Sequence, residues 1–486
     1  MENEAEIMNY AAIIFILGWV LILESIFMVF PCITALIYQE QTGYAFLIVA
    51  AICFVLGIII TRRKPKIQVY YAREGFVTVA LSWIVMSIFG AIPFVINGDI
   101  PSFTDALFET ISGFTTTGAS ALTEVESLSY CSLFWRSFTH WIGGMGVFVF
   151  LLAVLPLTGG YNMHLMKAES PGPSVGKLVP KVKETAKILY GIYIFMTIAE
   201  IILLLIAGMP VFDAITTSFG TAGTGGFGIK NNSMMGYNIP IQAIVTIFMI
   251  LFGVNFNFYY YLLGKHKKNA LKMEEVHWYF ITIAACVGII TLNVYHIYGN
   301  LFTAFHHSAF QVGSIITTTG FATADFNTWP QVSRTILVVI MFIGACAGST
   351  GGGIKVSRIV ILAKSVKQEI STFVHPRSVK VIKFDKKGLD PHIVKSVSAF
   401  LVTYVLIFGG SMFLLAFDNL DLVTNFTSVA ATLNNIGPGL EIVGPTGNYS
   451  IFSPLAKYVL MFDMLAGRLE LYPILLLFTP SVWKKN

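Results

Sequence analysis

Four short strips rich in glycine, threonine and asparagine interrupt the apolar runs of this chain, and a plain membrane helix cannot absorb them. They read "FTDALFETISGFTTTGAS" (103–120), "VFDAITTSFGTAGTGGFG" (211–228), "TAFHHSAFQVGSIITTTGFA" (303–322) and "LVTNFTSVAATLNNIGPG" (422–439). Each starts as an amphipathic piece, passes into a polar strip and stops before a new apolar run. The recurring glycines are Gly118, Gly226, Gly320 and Gly437, spaced 108, 94 and 117 residues apart by subtraction. Such recurrence is first of all the mark of one repeated structural unit.

The runs around the strips read as membrane spans. Ile7–Tyr38, Ala45–Thr61, Ile188–Ala207 and Ala399–Phe417 are long enough to cross ~30 Å of hydrocarbon as helices. The chain is 55% hydrophobic and 12% charged, and a soluble chain carries about twice that charge. The expected fold is an all-α polytopic membrane protein. Four pseudo-symmetric helix–pore-helix–helix repeats surround a central pore, and two N-terminal transmembrane helices precede them. The expected boundaries are 1–66 for that pair, then 67–163, 164–268, 269–370 and 371–486 for the repeats. The start "MENEAE" has no basic n-region, so the first span reads as retained and not as a signal peptide. Cys32, Cys53, Cys131, Cys286 and Cys346 stand singly, which argues for small buried side chains and against a disulfide framework or zinc site.

Charge gives an orientation. Lysine and arginine gather in "TRRKPK" (61–66), 164–187, "GKHKKNALKMEE" (264–275), 364–388 and the terminal "WKKN". The alternate connections, about 97–130, 209–240, 299–330 and 417–450, hold one lysine between them, Lys230. The positive-inside rule places the basic set and both termini in the cytoplasm. The four strips then enter from outside.

Non-helical backbone at membrane depth is tolerated only where it is buried in protein or lines a watery cavity. Four strips entering from one side satisfy this by meeting on a common axis. Their carbonyls then oppose one another unless a cation lies between them, as in filters built from carbonyl rings. The half-helix before each strip adds the negative end of its dipole. The competing reading is close helix approach through small residues. Matching flanks, one side and one glycine register favour the ring.

With "TTTGAS", "GTGGFG", "TTTGFA" and "NNIGPG" on this layout, the chain resembles the Trk/Ktr/HKT superfamily of potassium-translocating subunits. The two extra N-terminal spans and "GACAGSTGGGIKVSR" make it most similar to the TrkH/TrkG branch. The resemblance implies potassium as the transported ion, coordinated by Thr116, Thr117, Thr224, Gly225, Thr318, Thr319, Asn435 and Ile436. Gly118, Gly226, Gly320 and Gly437 would close the strips, and glycine at all four favours potassium over sodium. The fourth strip departs from the threonine pattern, which lowers the symmetry without removing any carbonyl. A homodimer in the inner membrane and a TrkA-type cytosolic regulatory subunit binding NAD or ATP are also implied. The basic loops suit that subunit or anionic lipid equally, and nothing suggests nucleic acid.

The last span of repeat three runs apolar from Thr335 to Ala347 and breaks at Gly348, Ser349, Thr350, Gly351, Gly352 and Gly353. Consecutive glycines cost a helix about 1 kcal/mol each. The break reads as a flexible plug below the strips, where the family's gating loop lies; a simple kink is the plainer alternative. A P-loop is excluded, because Ile354 separates the glycines from Lys355 and Val356 follows it. Arg468 lies in an apolar span and needs a partner. The resemblance sets it near the loop, while a local pair with Asp463 or Glu470, or snorkelling, competes.

His306 and His307 read as core or interfacial residues. Glu109, Asp105, Asp213, Asp418, Asp421 and Glu441 read as surface acids near the pore mouth, able together to concentrate cations. Glu24 and Glu200 are intramembrane acids with no partner visible in the sequence. No convergent nucleophile, metal or acid–base set points to an enzyme. A potassium pathway driven by voltage is expected, with a proton- or sodium-coupled symporter as the alternative.

Overall fold

A computed structural model describes residues 8–65, 72–154, 182–264, 267–377 and 381–483. The basic stretch 164–181 and the terminal lysines lie outside the described residues.

Four helices of 25 residues each open the four repeats: Ala72–Ile96, Val182–Ile206, Glu274–Tyr298 and Pro391–Leu415. At 1.5 Å per residue each reaches about 37 Å, enough to cross the bilayer. Each is followed by a short helix: Phe103–Phe114, Val211–Ala222, Leu301–Ile316 and Leu422–Leu433. Three of them have 12 residues and cover roughly 18 Å, and the third in order, with 16, covers roughly 24 Å, so none spans the bilayer as the opening helices do. Side chains of Ser102, Asn300 and Asp421 cap three of them by accepting from Asp105, Phe302 and Thr424 N–H groups.

The returning helices differ from one another. The first, Tyr130–Val154, is continuous. The second is broken into Ile239–Phe252 and Phe256–Leu263, bent by 90°. The third splits into Gln331–Ile343 and Val356–Val374, and the fourth, Pro454–Arg468, gives way to Tyr472–Leu477. The third break is wider than the glycine run predicts. Gly344 already leaves the helix at φ 72°, and helix resumes only after Lys355 at φ 82°. Ala345, Cys346 and Ala347 look helical in sequence but are buried in non-helical backbone, with Cys346 N donating to Gly253 O of repeat two (3.0 Å) and Ala347 N to Glu275 Oε1 (2.7 Å).

The N-terminal pair is Tyr10–Tyr38, broken at Met28, and Gly43–Thr61. It shares a core with repeats one and four, in which Ile16, Phe46, Trp135, Val429 and Leu460 are buried. All five cysteines are free. A two-stranded hairpin, Lys383–Phe384 with Lys387–Gly388, lies on the lysine-rich side. Asp385 in its turn accepts from Glu274 N (2.7 Å), and Lys364 bonds both Glu274 (2.5 Å) and Lys383 O (2.7 Å).

Candidate functional site

The four half-helices end identically. The residue after each helix cap, Thr116, Thr224, Thr318 or Asn435, is left-handed, with φ of 55°, 52°, 60° and 55°. Its N–H reaches back three residues, to Gly113, Thr221, Ile315 and Thr432 carbonyls at 3.0–3.1 Å. The next N–H reaches back five, from Thr117, Gly225, Thr319 and Ile436 to Ser112, Gly220, Ser314 and Ala431, all at 2.8 Å. This is the Schellman helix end, whose left-handed position normally belongs to glycine. Threonine is an outlier there and costs about 1–2 kcal/mol per residue.

The bond pattern fixes where the carbonyls face. In a trans peptide the C=O lies opposite the N–H. The N–H groups of Thr116 and Thr117 turn back to their half-helix, so the carbonyls of Thr115 and Thr116 turn away from it. The same holds for Gly223 and Thr224, Thr317 and Thr318, and Asn434 and Asn435. Four dipole C-termini and four pairs of carbonyls therefore face off their helices, an arrangement that attracts cations.

The strips meet in a closed ring. Gly118, Gly226, Gly320 and Gly437 are left-handed, at φ of 77°, 76°, 88° and 98°. A Cβ on Gly118 would lie 1.9 Å from Gly225 O, on Gly226 1.9 Å from Thr319 O, and on Gly320 2.1 Å from Ile436 O. On Gly437 it would lie 2.8 Å from Thr117 O, which closes the circuit from repeat four to repeat one. Each seam thus sets one strip's closing glycine against the carbonyl that precedes the next. A cavity of about 120 Å³ lies beside the ring, and all four glycines line it.

Side chains hold the ring from behind. The His140 imidazole abuts Gly225 so closely that a Cβ there would meet Nδ1 at 1.4 Å, and it lies 4.2 Å from the Phe227 ring. Asn435 explains the fourth strip's departure from threonine. Asparagine tolerates the left-handed region, and its Nδ2 donates to Thr117 Oγ1 (2.9 Å) and Met464 O (2.8 Å), tying strip four to strip one.

The segment 344–355 lies against the side of the strips away from the glycines. Gly352 N donates to Thr318 Oγ1 (2.6 Å), and a Cβ on Gly352 would meet Asn434 O at 2.4 Å. Gly351 lies beside Thr317 O. Arg468 donates to Thr350 O (2.7 Å) and to Gly143 O (2.5 Å), so one guanidinium fork bridges the loop and the returning helix of repeat one. Asp463 instead accepts from Ser411 (2.7 Å), and Glu470 pairs with Arg358. Of the residues singled out in sequence, Gly348 and Ser349 serve the loop's edges: Gly348 O accepts from Phe256 N (3.0 Å) and Ser349 Oγ bonds Cys346 O (2.7 Å). Gly353, at φ 78°, packs on Gly344.

Sequence reasoning missed several residues. Lys355 is buried and donates to Gly351 O and Gly352 O. Glu275, read only as part of a basic connection, bonds both shoulders of the loop. Asn255 marks the break in repeat two, where Gly253 O accepts from Cys346 N (3.0 Å). Gly253 followed by a capping asparagine is a helix stop-and-start pattern, and it was the available clue.

The acids also need correcting. Glu109 is buried, not at the surface: it pairs with Arg136 (3.0 Å) and accepts from Ser120 Oγ and Ala121 N at 2.7 Å. Arg136 in turn bonds Gly228 O (3.2 Å) and covers the Phe227 ring at 4.0 Å. Asp105 pairs with Lys457, Asp213 accepts from Tyr237, Asp418 from Ser453 N, and Glu441 pairs with Arg334. None of these acids lines the cavity at the glycine ring, whose charged lining is Arg136 and Lys230. Polar neighbours satisfy the histidines: His306 with Gln242 (2.7 Å), His307 with Thr323 (3.0 Å). Glu24 and Glu200 are fully buried. Among the described residues no cluster of three metal-ligating side chains occurs.

Comparison with known proteins places this architecture. Residues 43–485 match the family model TrkH, cation transport protein. The chain is 39% identical to the Trk system potassium uptake protein TrkH of Salmonella typhimurium, over 98% of this chain and all of that one. It is 35% identical to the Trk system potassium uptake protein TrkG of Escherichia coli, over 96% of this chain and 97% of that one. The crystal structure of the potassium transporter TrkH from Vibrio parahaemolyticus superposes with a TM-score of 0.88 at 35% identity, covering 98% of this chain and all of that one. By family model, full-length relatives and fold alike, the chain belongs to the TrkH family of cation transport proteins.

Proposed function

We propose that this protein carries potassium into the cell across the inner (plasma) membrane, through the ring formed by its four strips. The supporting observation is the closed circuit of seams between Gly118, Gly226, Gly320, Gly437 and the carbonyls of Gly225, Thr319, Ile436 and Thr117. Backbone oxygens of residues 116–117, 224–225, 318–319 and 435–436 replace the water around the ion. The ring's narrowness is set by backbone contacts, which favours an ion of one size. Membrane voltage drives entry, at about 2.3 kcal/mol per charge per 100 mV.

The segment 344–355, with Arg468 and Lys355, is the gate. It lies under strips three and four, and two cationic groups there hinder an ion leaving the ring. The lysine-rich face and both termini are cytoplasmic. That face receives a TrkA-type nucleotide-binding subunit, and the protein works as a homodimer, each protomer with its own pathway.

Purified protein in liposomes tests the reading. Rubidium uptake should follow an imposed voltage, exceed sodium uptake and ignore a pH gradient. Uptake that requires a proton or sodium gradient would replace the pore with a symporter.

A further inference from the structure

The loop is held by a carboxylate that the proposed gate does not itself contain. Glu275 sits in the first turn of the helix Glu274–Tyr298, 4% exposed. Its Oε1 accepts from Ala347 N at 2.7 Å and from Ser357 N at 3.1 Å, and Oε2 faces Asn255 Nδ2 at 3.5 Å. Ala347 enters the loop and Ser357 opens the helix that leaves it. One oxygen thus clasps both shoulders of the break, 72 and 82 residues away in sequence. Hydrogen bonds to a charged acceptor are the strong class, and here they join backbone that has no helical partner.

The surroundings make this clasp addressable. Beyond Glu275 lies a cavity of about 420 Å³ on the lysine-rich face, also lined by Asn255, Asn257, Lys272 and the hairpin residues Lys386 and Lys387. The neighbouring Glu274 is tied to that hairpin through Asp385 and Lys364. The helix start carrying the carboxylate is therefore anchored to an exposed element, and not only to the core.

We infer that Glu275 is a positioning residue of the gate: its carboxylate keeps the 344–355 loop seated under the strips, and its withdrawal releases the loop. This rests on the reading of that loop as the gate. Arg468 and Lys355 hold the middle of the loop, and Glu275 holds its ends together.

Liposome rubidium flux of the full chain tests it, beside a variant with residues 348–353 shortened. Glu275→Ala should raise flux about tenfold, as expected for losing bonds to a charged acceptor, with the rubidium-to-sodium ratio unchanged. Glu275→Gln keeps an acceptor oxygen but loses the charge, and should raise flux less than the alanine variant. Glu275→Asp keeps the charge but falls a methylene short, and should lie between the parent and the alanine variant; it carries the test if the alanine variant does not fold. Unchanged flux in the alanine and aspartate variants, with raised flux in the shortened loop, overturns the clasp and leaves the gate standing. No rise in any variant, the shortened loop included, overturns gate and clasp together. Lower flux accompanied by a lower melting temperature in all three Glu275 variants marks a merely structural residue and also overturns it.

Discussion

At the scale of single residues, the ring depends on backbone that is tightly spaced and locally strained. The seams are unequal: a Cβ meets a carbonyl oxygen at 1.9 Å from Gly118 and Gly226, at 2.1 Å from Gly320, but at 2.8 Å from Gly437. Serine substitutions should therefore be graded. Gly118→Ser, Gly226→Ser and Gly320→Ser should erode rubidium-over-sodium discrimination, and Gly437→Ser should erode it least, since its collision is mildest. Equal ratios across the four, read by liposome flux, would contradict a ring sized by these contacts. The glycines were legible in the sequence because they recur in one register. The left-handed threonines before them were not, because a β-branched residue is the last choice for that conformation. Strain of this kind persists only where the surroundings enforce it; here the Schellman bonds and the neighbouring strip do so. His140 escaped notice for a simpler reason: nothing in "SFTHWIGG" says which strip its ring will touch.

At the scale of elements, the opening helices of the repeats are scaffolds and the returning helices are where the chain departs from regularity. The sequence announced the break in repeat three through its glycines but understated it. Alanines and a cysteine at 345–347 carry no helix-breaking signal; beyond Gly344 their backbone bonds run to Gly253, Glu275 and Val356 in place of helical partners. Arg468 tests how the loop is held. Its two bonds run to Thr350 O and Gly143 O, a fork that lysine cannot reproduce. Arg468→Lys keeps the charge and loses the bridge, so it should raise flux several-fold, and Arg468→Ala more, with ion ratios unchanged in both. A lysine variant indistinguishable from the parent would show that charge alone matters.

At the scale of the whole molecule, stability is invested where repeats join. Arg136 and Glu109 form a buried pair that also reaches Gly228 in the second repeat. Breaking such a pair by removing one partner costs about 3–5 kcal/mol. Glu109→Ala should lower the melting temperature in detergent markedly, while Glu441→Ala, which removes a more exposed pair with Arg334, should shift it little. Spans, repeats and the positions of the half-helices could be read from the chain alone, because hydropathy and glycine register are local properties. The joints could not: Glu109 and Arg136 lie on different helices, Glu275 acts across 72 residues, and Asn435 grips Thr117 across 318. The circuit of seams has one further consequence. Like stones in a round arch, each quadrant is wedged by the one beside it, so a shift in one quadrant has to be shared by its neighbours. If ions take this path, as proposed, its bore is set by the joints themselves, and tuning of uptake is expected elsewhere along the route.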